Sequence, residues 1–323
     1  MKQLILSLLL AISLSAQAQS FATKPVRIII PWPVGNTADL IARAMQDLLS
    51  ANIGQPVIVE NRVGAAGMLA VEYVMRSPAD GHVLMLTNPS PLTLNPAVYK
   101  KMPYDPLKDV AAVSVIGGVP VMLVGNPKLP FDTLPDLVAY VKANPGRLYY
   151  GSAGRGTFTH LTMELVKQAV GLDIIHVPYK GAVASLTDVV SGQTALMLDG
   201  FASSNAMVKA GRLKAFAISS PQRSPFAPQV PTFMESGIRG LESFEFSAWQ
   251  GLFAPGAMPA PLLERINAEV SRLLQTPQFR ERLMAQSITP YPPLKSEVFQ
   301  RMVADDLARW TRTAREANVE MLD

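Results

Sequence analysis

The chain has 323 residues, with 29 Lys and Arg against 25 Asp and Glu, a formal charge of +4 and no cysteine. A composition with 49% hydrophobic and 17% charged residues excludes a disordered chain, and the length allows two domains with sizeable cores. The lack of cysteine excludes disulfides, thiol nucleophiles and Cys-ligated metals, and the modest charge without a Lys/Arg cluster gives no indication of nucleic-acid binding. His82, His160 and His176 form no HxH or HExxH pair, so we expect neither a metal nor a cofactor.

The first eighteen residues have the pattern of a secretory signal. Lys2 supplies a positive charge, and residues 4–14 form an apolar run that is too short to span a bilayer. Ala16 and Ala18 are small residues at the two positions that a signal peptidase recognises. We therefore predict a signal peptide over residues 1–18, cleaved after Ala18, and a periplasmic protein. An N-terminal membrane anchor and a buried helix are the alternatives.

The rest of the chain repeats a strand–loop–helix pattern. Residues 26–30 are a β-branched run ended by Pro31, which predicts a buried strand, and helical spacing follows over residues 38–49. Further strands are predicted at residues 57–59, 83–86, 148–150, 174–177 and 195–198, and amphipathic helices at 261–274 and 296–317. This alternation predicts an α/β fold in which mostly parallel sheets are flanked by helices.

Two long apolar segments, residues 113–124 and 249–254, are typical of chain crossings between domains. If both cross, one lobe contains both termini and the other is inserted in the middle. We predict a first lobe over residues 19–120 and 226–323 and a second lobe over residues 121–225. The proline-rich stretch 221–231 is the other candidate, beside residues 249–254, for the return to the first lobe.

The loop between the first strand and the first helix is a candidate anion site. Backbone N–H groups at a helix start have no intrahelical partner and lie at the positive end of the helix dipole. Asn36 and Thr37 can cap the helix or donate to a ligand, Trp32 can form a flat apolar wall, and Asp39 can hold the loop or a water. The alternative is an ordinary capped helix.

Residues 151–160 form a stronger candidate, because three glycines, Ser152 and two threonines stand between a strand and a helix. Such a backbone can approach a ligand closely, and phosphate or carboxylate is the natural guest. The segment is neither a dinucleotide fingerprint nor a P-loop. His160 is either a structural histidine or a ligand contact.

Residues 64–67, Thr87 with Asn88, and Asp199 also follow predicted strands. Ligands of open α/β sheets bind outside the carboxyl ends of the strands, so these loops are predicted to line one cleft. Asp199 either accepts from a ligand or binds a hinge backbone. The chain has no GxSxG elbow and no recognisable triad spacing, which disfavours an enzyme. Asp305 and Asp306 are predicted to lie on a solvated helix face.

Motifs along the whole chain resemble those of the Bug family of extracytoplasmic solute receptors, which serve tripartite tricarboxylate transporters. They lie at residues 27–39, 55–62, 79–81, 95–96, 104–109, 151–161, 176–181, 192–193, 230–232 and 251–255. Two positions depart from the family pattern. Val34-Gly35-Asn36-Thr37 replaces much of a glycine run, which adds side chains beside the expected ligand, and Gly200 stands where the family has a polar residue after Asp199.

The resemblance implies a two-lobed periplasmic binding protein of the second type, with the ligand cleft between the lobes. Such a receptor captures a small carboxylate and delivers it to membrane permease subunits; we expect a monomer. A sensor or orphan receptor, and less so an exported enzyme, are the alternatives. By motif, the ligand-binding residues would be Trp32, Gly35, Asn36, Thr37, Asp39, Ala66, Thr87 and Asn88 of the first lobe and Ser152, Gly156, Thr157, His160 and Asp199 of the second.

Overall fold

The computed structural model describes residues 21–323, so the predicted signal peptide and its cleavage site lie outside the described part of the chain. The strands of this part are β1 (Val26–Ile30), β2 (Val57–Asn61), β3 (Val83–Thr87), β4 (Val110–Gly125), β5 (Tyr149–Ser152), β6 (Ile175–Pro178), β7 (Leu196–Gly200), β8 (Lys214–Ile218), β9 (Ser247–Pro255) and β10 (Thr289–Pro290).

The helices alternate with the strands up to β8, and the last three follow β9, with β10 between the second and the third of them. They are α1 (Thr37–Ile53), α2 (Met68–Met75), α3 (Asn95–Val98), α4 (Leu134–Ala143), α5 (Phe158–Val170), α6 (Ala182–Ser191), α7 (Phe201–Lys209), α8 (Ala260–Gln275), α9 (Pro277–Met284) and α10 (Ser296–Glu316). The long C-terminal helices agree with the amphipathic pattern of the sequence. Within residues 21–323, no helix is both long and apolar enough to cross a bilayer.

The strands hydrogen-bond in the order β2-β1-β3-β9-β4-β7-β5-β6, and β8 and β10 also pair with β4. The outer strands β1, β2 and β3, and likewise β5, β6 and β7, are parallel. The long strands β4 and β9 pair antiparallel with each other over residues 110–120 and 247–255. The α/β prediction and the two-lobed fold are confirmed, with an antiparallel centre where the chain crosses between the lobes.

Alternate residues of each central strand pack into different clusters because helices cover both faces of the sheet. In β3, Leu84 and Leu86 pack with α1, α8 and α9, whereas Val83 and Met85 pack with α2 and α10. All five β3 residues are buried, which explains the continuous apolar run. In the second half of β4, Leu123 and Met122 likewise enter two separate clusters built from β7 and β8.

β4 supplies core residues to both lobes, so it is one of the connections between them. Val113 and Ile116 pack in the cluster of β1 and β3, and Val121 and Leu123 pack with β7 and α5. Residues 94–98 and the end of α10 also pack with the second lobe's cluster, through Val98 and other side chains. The lobe boundaries at residues 120 and 226 stay a prediction.

Candidate functional site

A buried carboxylate holds the loop between β1 and α1. Asp39 is fully buried and accepts hydrogen bonds from the backbone N–H of Gly35, from Arg43 Nε and from Asn61 Nδ2, each at 2.9 Å. Asn61 also donates to the carbonyl of Trp32 at 2.9 Å. Of the roles predicted for Asp39, the structure shows that it holds the loop.

The same contacts keep the Asp39 carboxyl ionised. Burial by itself raises the pKa of Asp39, but hydrogen bonds from Arg43, Gly35 and Asn61, together with the charge of Arg43, outweigh burial. The pKa therefore lies below its ordinary value of 3.8. The carboxylate is a fixed negative charge that belongs to the loop and is screened by Arg43.

The start of α1 is capped by Asn36, as in the ordinary capped helix that was the alternative to an anion site. Asn36 Oδ1 accepts from the N–H of Ala38 at 3.1 Å, and Gly35 adopts a left-handed conformation with φ of 86°. Thr37 begins the helix and is partly exposed, as is Trp32. Capping uses the Asn36 oxygen and leaves its amide N–H groups for another acceptor.

The loop after β2 has four successive residues with positive φ: Gly64 at 148°, Ala65 at 45°, Ala66 at 51° and Gly67 at 90°. The left-handed conformation costs an L-residue with a side chain roughly 1–2 kcal/mol. The carbonyl of Ala66 accepts from Asn95 Nδ2 at 3.0 Å, which supports the strained turn. Strain at an exposed strand end supports a functional role for this loop.

Thr87 and Asn88, at the end of β3, mainly make local contacts. Thr87 is fully buried, and its hydroxyl lies 3.4 Å from the carbonyl of Asn88. Asn88 Oδ1 accepts from the N–H of Ser90 at 3.0 Å, where a π-helical turn over Ser90–Leu94 begins. Asn88 is partly exposed and is the more accessible of the two for a ligand.

In the second lobe, Ser152 and two histidines organise the loop between β5 and α5. Ser152 is fully buried; its Oγ accepts from the N–H of Gly154 at 3.1 Å and lies 2.6 Å from His176 Nε2. The N–H of Gly156 donates to His160 Nδ1 at 3.0 Å. The rings of His160 and His176 stack with centroids 3.9 Å apart.

Thr157 and Thr159 close the same loop from the helix side. The Thr157 hydroxyl donates to the carbonyl of Gly154 at 2.6 Å, and Thr159 Oγ1 accepts from the N–H of Ala153 at 2.8 Å. Gly156 has a φ of 71°, and a Cβ there would lie 3.2 Å from Val98 Cγ2. The loop therefore packs directly on α3, which follows β3 and its strand-end residues.

His176 is absent from the set of ligand residues predicted above. The sequence signal was the His176-to-Gly181 motif, which entered only as part of the family resemblance. Burial lowers the pKa of His160 from 6.5 to about 4 and that of His176 to about 3, and the neighbouring His160 further lowers the pKa of His176. Both imidazoles are therefore neutral at neutral pH.

The neutral histidines predict that stability falls on acidification. Between pH 6.5 and about 4 the unfolded chain binds a proton at His160 that the folded protein does not. The free energy of unfolding should therefore fall by about 1.4 kcal/mol per pH unit for such a histidine as the pH drops through this window. Urea unfolding of wild type and His160→Gln at half-unit pH steps measures this slope. An equal slope in both proteins would contradict the assignment.

Asp199 bonds within its own lobe, and its predicted role toward a ligand or a hinge stays a prediction. It is buried at the end of β7, and Ser203 and Ser204 of α7 donate to its Oδ2. Burial raises the pKa of Asp199, and hydrogen bonds from Ser203, Ser204 and the backbone of Gly200 only partly oppose this. The carboxyl thus ties β7 to the first turn of α7.

Strand directions place the two groups of loops at one boundary. β3 is antiparallel to β9 and β9 to β4, so β1 and β3 run in the direction of β4, from the first lobe to the second. β7 is antiparallel to β4 and parallel to β5, so β5, β6 and β7 run the opposite way. The carboxyl ends of both strand sets therefore point at the boundary between the lobes.

A separate cavity of about 670 Å³ lies beside α10. Its walls include Ser219 after β8, Trp249 of β9, Tyr291 after β10, and Arg309 and Arg312 of α10. Its volume is in the range of small-molecule sites. None of the predicted ligand residues lines it, so the cavity is a second location that a ligand-binding experiment must distinguish. Residues 21–323 contain no group of three or more His, Asp or Glu placed to hold a metal.

The chain is similar to known proteins over almost its full length. Residues 41–319 match the model of the tripartite tricarboxylate transporter family receptor, TctC. Protein BugT of Bordetella pertussis is 32% identical over 311 residues, which cover 96% of this chain and 94% of BugT.

Two solved structures from Rhodopseudomonas palustris are also similar. One, determined with adipate, is 31% identical, has a TM-score of 0.77, and is matched over 93% of this chain and 99% of its own. The other, MatC with bound malate, is 30% identical, has a TM-score of 0.72, and is matched over 90% and 99%. The model match and these identities show that this chain belongs to the TctC family of tripartite tricarboxylate transporter receptors, the family of periplasmic solute-binding proteins that includes the Bug proteins.

Proposed function

We propose that this protein is a periplasmic receptor that captures a small organic acid between its lobes and delivers it to a membrane permease of the tripartite tricarboxylate type. The observation that carries the proposal is the meeting of two loop groups at the lobe boundary. Each group contains a loop that leads from a strand into the N-terminus of a helix, α1 or α5. Adipate and malate in two related structures support a carboxylate as the ligand.

The two helix starts suit a carboxylate for a physical reason. Unpaired N–H groups and the positive end of the helix dipole favour an anion at each start. A charge-assisted hydrogen bond contributes about 1.5–3 kcal/mol before desolvation is subtracted. The network under the second loop and Asp39 under the first hold the donors in place before the ligand arrives. We assign the thirteen residues named from the family motifs to this site.

Closure follows from the two-lobed arrangement. A carboxylate that contacts only one loop gains part of the interaction, whereas a closed cleft gains both sets of contacts. The ligand therefore favours the closed form, and we expect the permease to bind that closed form. A sensor would present the same closed form to a signalling partner instead.

We expect one member of a carboxylate panel to bind the refolded, ligand-free protein. A panel of adipate, malate, citrate, glutamate and benzoate in a thermal-shift assay identifies it. At about 100 times its dissociation constant, a ligand adds roughly 2.7 kcal/mol of stability, which is a clear shift of the unfolding midpoint. A flat panel would contradict the carboxylate proposal.

We expect Thr157→Ala to weaken binding of that acid by about tenfold without unfolding the protein, because it loosens a loop that holds the ligand. Arg312→Ala is the matched control, since Arg312 lines the separate cavity and is exposed. Calorimetry on both variants locates the ligand. A loss in Arg312→Ala with unchanged affinity in Thr157→Ala would place the ligand in the cavity instead.

Uptake experiments separate the transport role from its alternatives. If the protein serves a permease, uptake of the bound acid is lost when either the receptor gene or the permease genes are deleted. A sensor leaves uptake unchanged and alters gene expression. Conversion of the bound acid by the purified protein, followed by NMR, would instead favour an exported enzyme.

A further inference from the structure

A stacked pair of histidines underlies the β5–α5 loop. His176, on β6, stacks on His160, with ring centroids 3.9 Å apart and planes 11° from parallel. His176 also stacks on Tyr150 of β5, with centroids 4.8 Å apart. Each histidine makes one hydrogen bond to the loop, His176 Nε2 to Ser152 Oγ and His160 Nδ1 to the N–H of Gly156.

We propose that His176 is a positioning residue for ligand binding, which sets the shape of the loop from Ser152 to Gly156 through Ser152 and through the stacked ring of His160. This inference rests on the proposed function, since it assumes that this loop receives the carboxylate. His176 does not itself touch the ligand. It acts on both ends of the loop at once, because Ser152 begins the loop and His160 fixes Gly156 near its end.

The hydrogen bonds determine how His160 is protonated. A backbone N–H can only donate, so His160 Nδ1 must be unprotonated when it accepts from Gly156, and the ring hydrogen lies on Nε2. Ser152 Oγ accepts from the N–H of Gly154 and can give its one hydroxyl hydrogen either to the carbonyl of Gly154, at 3.1 Å, or to His176. Whether Ser152 or His176 supplies the hydrogen between them, the contact fixes the position of Ser152 Oγ.

Charged groups surround the two histidines but do not form the hydrogen bonds of His160 Nδ1 and His176 Nε2 to the loop. Glu164 of α5 accepts from Tyr150 at 2.5 Å and from Lys167 at 2.6 Å. Arg155 of the loop lies 3.8 Å from Glu320. Burial, and then the positive charges of Arg155 and Lys167, lower the pKa of both imidazoles, whereas Glu164 raises that of His160. If His160 were protonated at Nδ1, its N–H would face the N–H of Gly156, and the hydrogen bond between them would be lost.

The decisive test measures the loop without any ligand. In His176→Phe the ring and its stacking are kept and the contact to Ser152 is lost. We expect the amides of Gly154 and Gly156 to exchange with solvent deuterium at least tenfold faster, with exchange in α4 unchanged. Ile175→Ala, an exposed position on the same strand, is the control and should leave both amides at their wild-type rates. Unchanged exchange in folded His176→Phe would overturn the proposal.

Binding provides the second readout, with adipate and malate as the probes. We expect His176→Phe to lose about tenfold in affinity, and His176→Gln, which can still reach Ser152, to recover part of it. Affinity equal to wild type in His176→Phe would overturn the positioning role. If faster exchange is seen but none of the five acids of the panel binds wild type, the proposed ligand class fails and the positioning of the loop stands.

A measurement on the wild-type protein covers the case in which the variants do not fold. The ¹⁵N chemical shifts of the His160 ring report which nitrogen carries the hydrogen. We expect the Nε2–H form at neutral pH and loss of exchange protection at Gly156 as the pH falls through about 4, the pKa of His160. A hydrogen on Nδ1 at neutral pH would contradict the geometry on which the inference depends.

Discussion

Replacing Asp306 by alanine should destabilise the protein by roughly 3 kcal/mol, because the change removes a buried carboxylate that accepts from three side chains. Asp306 is 5% exposed on α10. Its Oδ2 accepts from Thr93 Oγ1 at 2.9 Å and from Trp249 Nε1 at 3.1 Å, and its Oδ1 accepts from Arg309. Alanine would leave Trp249 Nε1 without its acceptor, whereas Thr93 can still donate to the carbonyl of Pro89 at 3.1 Å and Arg309, 36% exposed, can turn to water. The substitution would also remove a link from α10 to β9 and to the turn after β3.

The chain contains a close control for this change. Asp305 is the preceding residue on the same helix but is exposed, so Asp305→Ala should change the free energy of unfolding by about 0.5 kcal/mol or less. Urea unfolding of both variants at neutral pH makes the comparison. A loss of less than about 1 kcal/mol in Asp306→Ala would show that the buried network contributes little.

Asp39→Ala should cost about 3 kcal/mol of stability and weaken ligand binding by at least roughly tenfold. The substitution removes the acceptor of Gly35, Arg43 and Asn61 at one position, so the β1–α1 loop loses the contact that shapes it. Arg43 is 45% exposed and can return to water, which keeps the cost below that of a fully buried pair. Calorimetry and urea unfolding measure the two effects.

The pH dependence of this contribution has a definite sign. Because the folded pKa of Asp39 is lower than 3.8, the unfolded chain takes up the proton first. The stabilisation is therefore complete above pH 3.8 and is lost as the pH falls through the lower, folded pKa. Asp47→Ala is the control on the same helix: Asp47 is 63% exposed and pairs with Arg282, and such a surface pair is worth about 0–1 kcal/mol. Similar losses of unfolding free energy in Asp39→Ala and Asp47→Ala would show that Asp39 stabilises the protein no more than an exposed ion pair does.

Local patterns in the sequence were sufficient for several of the elements and for the loops after β1 and β5. The β-branched run at β1, the helical spacing of α1 and the amphipathic periods of α8 and α10 depend on side-chain repeats of two and 3.6 residues, which a short window of sequence contains. Glycines and small polar residues after strands likewise marked the loops that the strand directions place at the lobe boundary. The family motifs added the two-lobed arrangement, which is confirmed.

Contacts between distant segments could not be read in this way. Asp306 was predicted to be solvated with Asp305, and this is wrong, because its partner Thr93 is 213 positions away and no local pattern indicates that contact. The same holds for His176, which meets Ser152 and His160 only because β5 and β6 are neighbours.

The sequence by itself therefore determined the α/β pattern, the loops at strand ends and the family. The tertiary structure alone decided how each polar group of those loops is used. Asp39 and Asp199 bond within their own lobes, Asn36 caps α1, and the histidines support the second loop. The physical reason is that secondary structure follows from local periodicity, whereas burial and hydrogen-bond partners depend on which elements pack together.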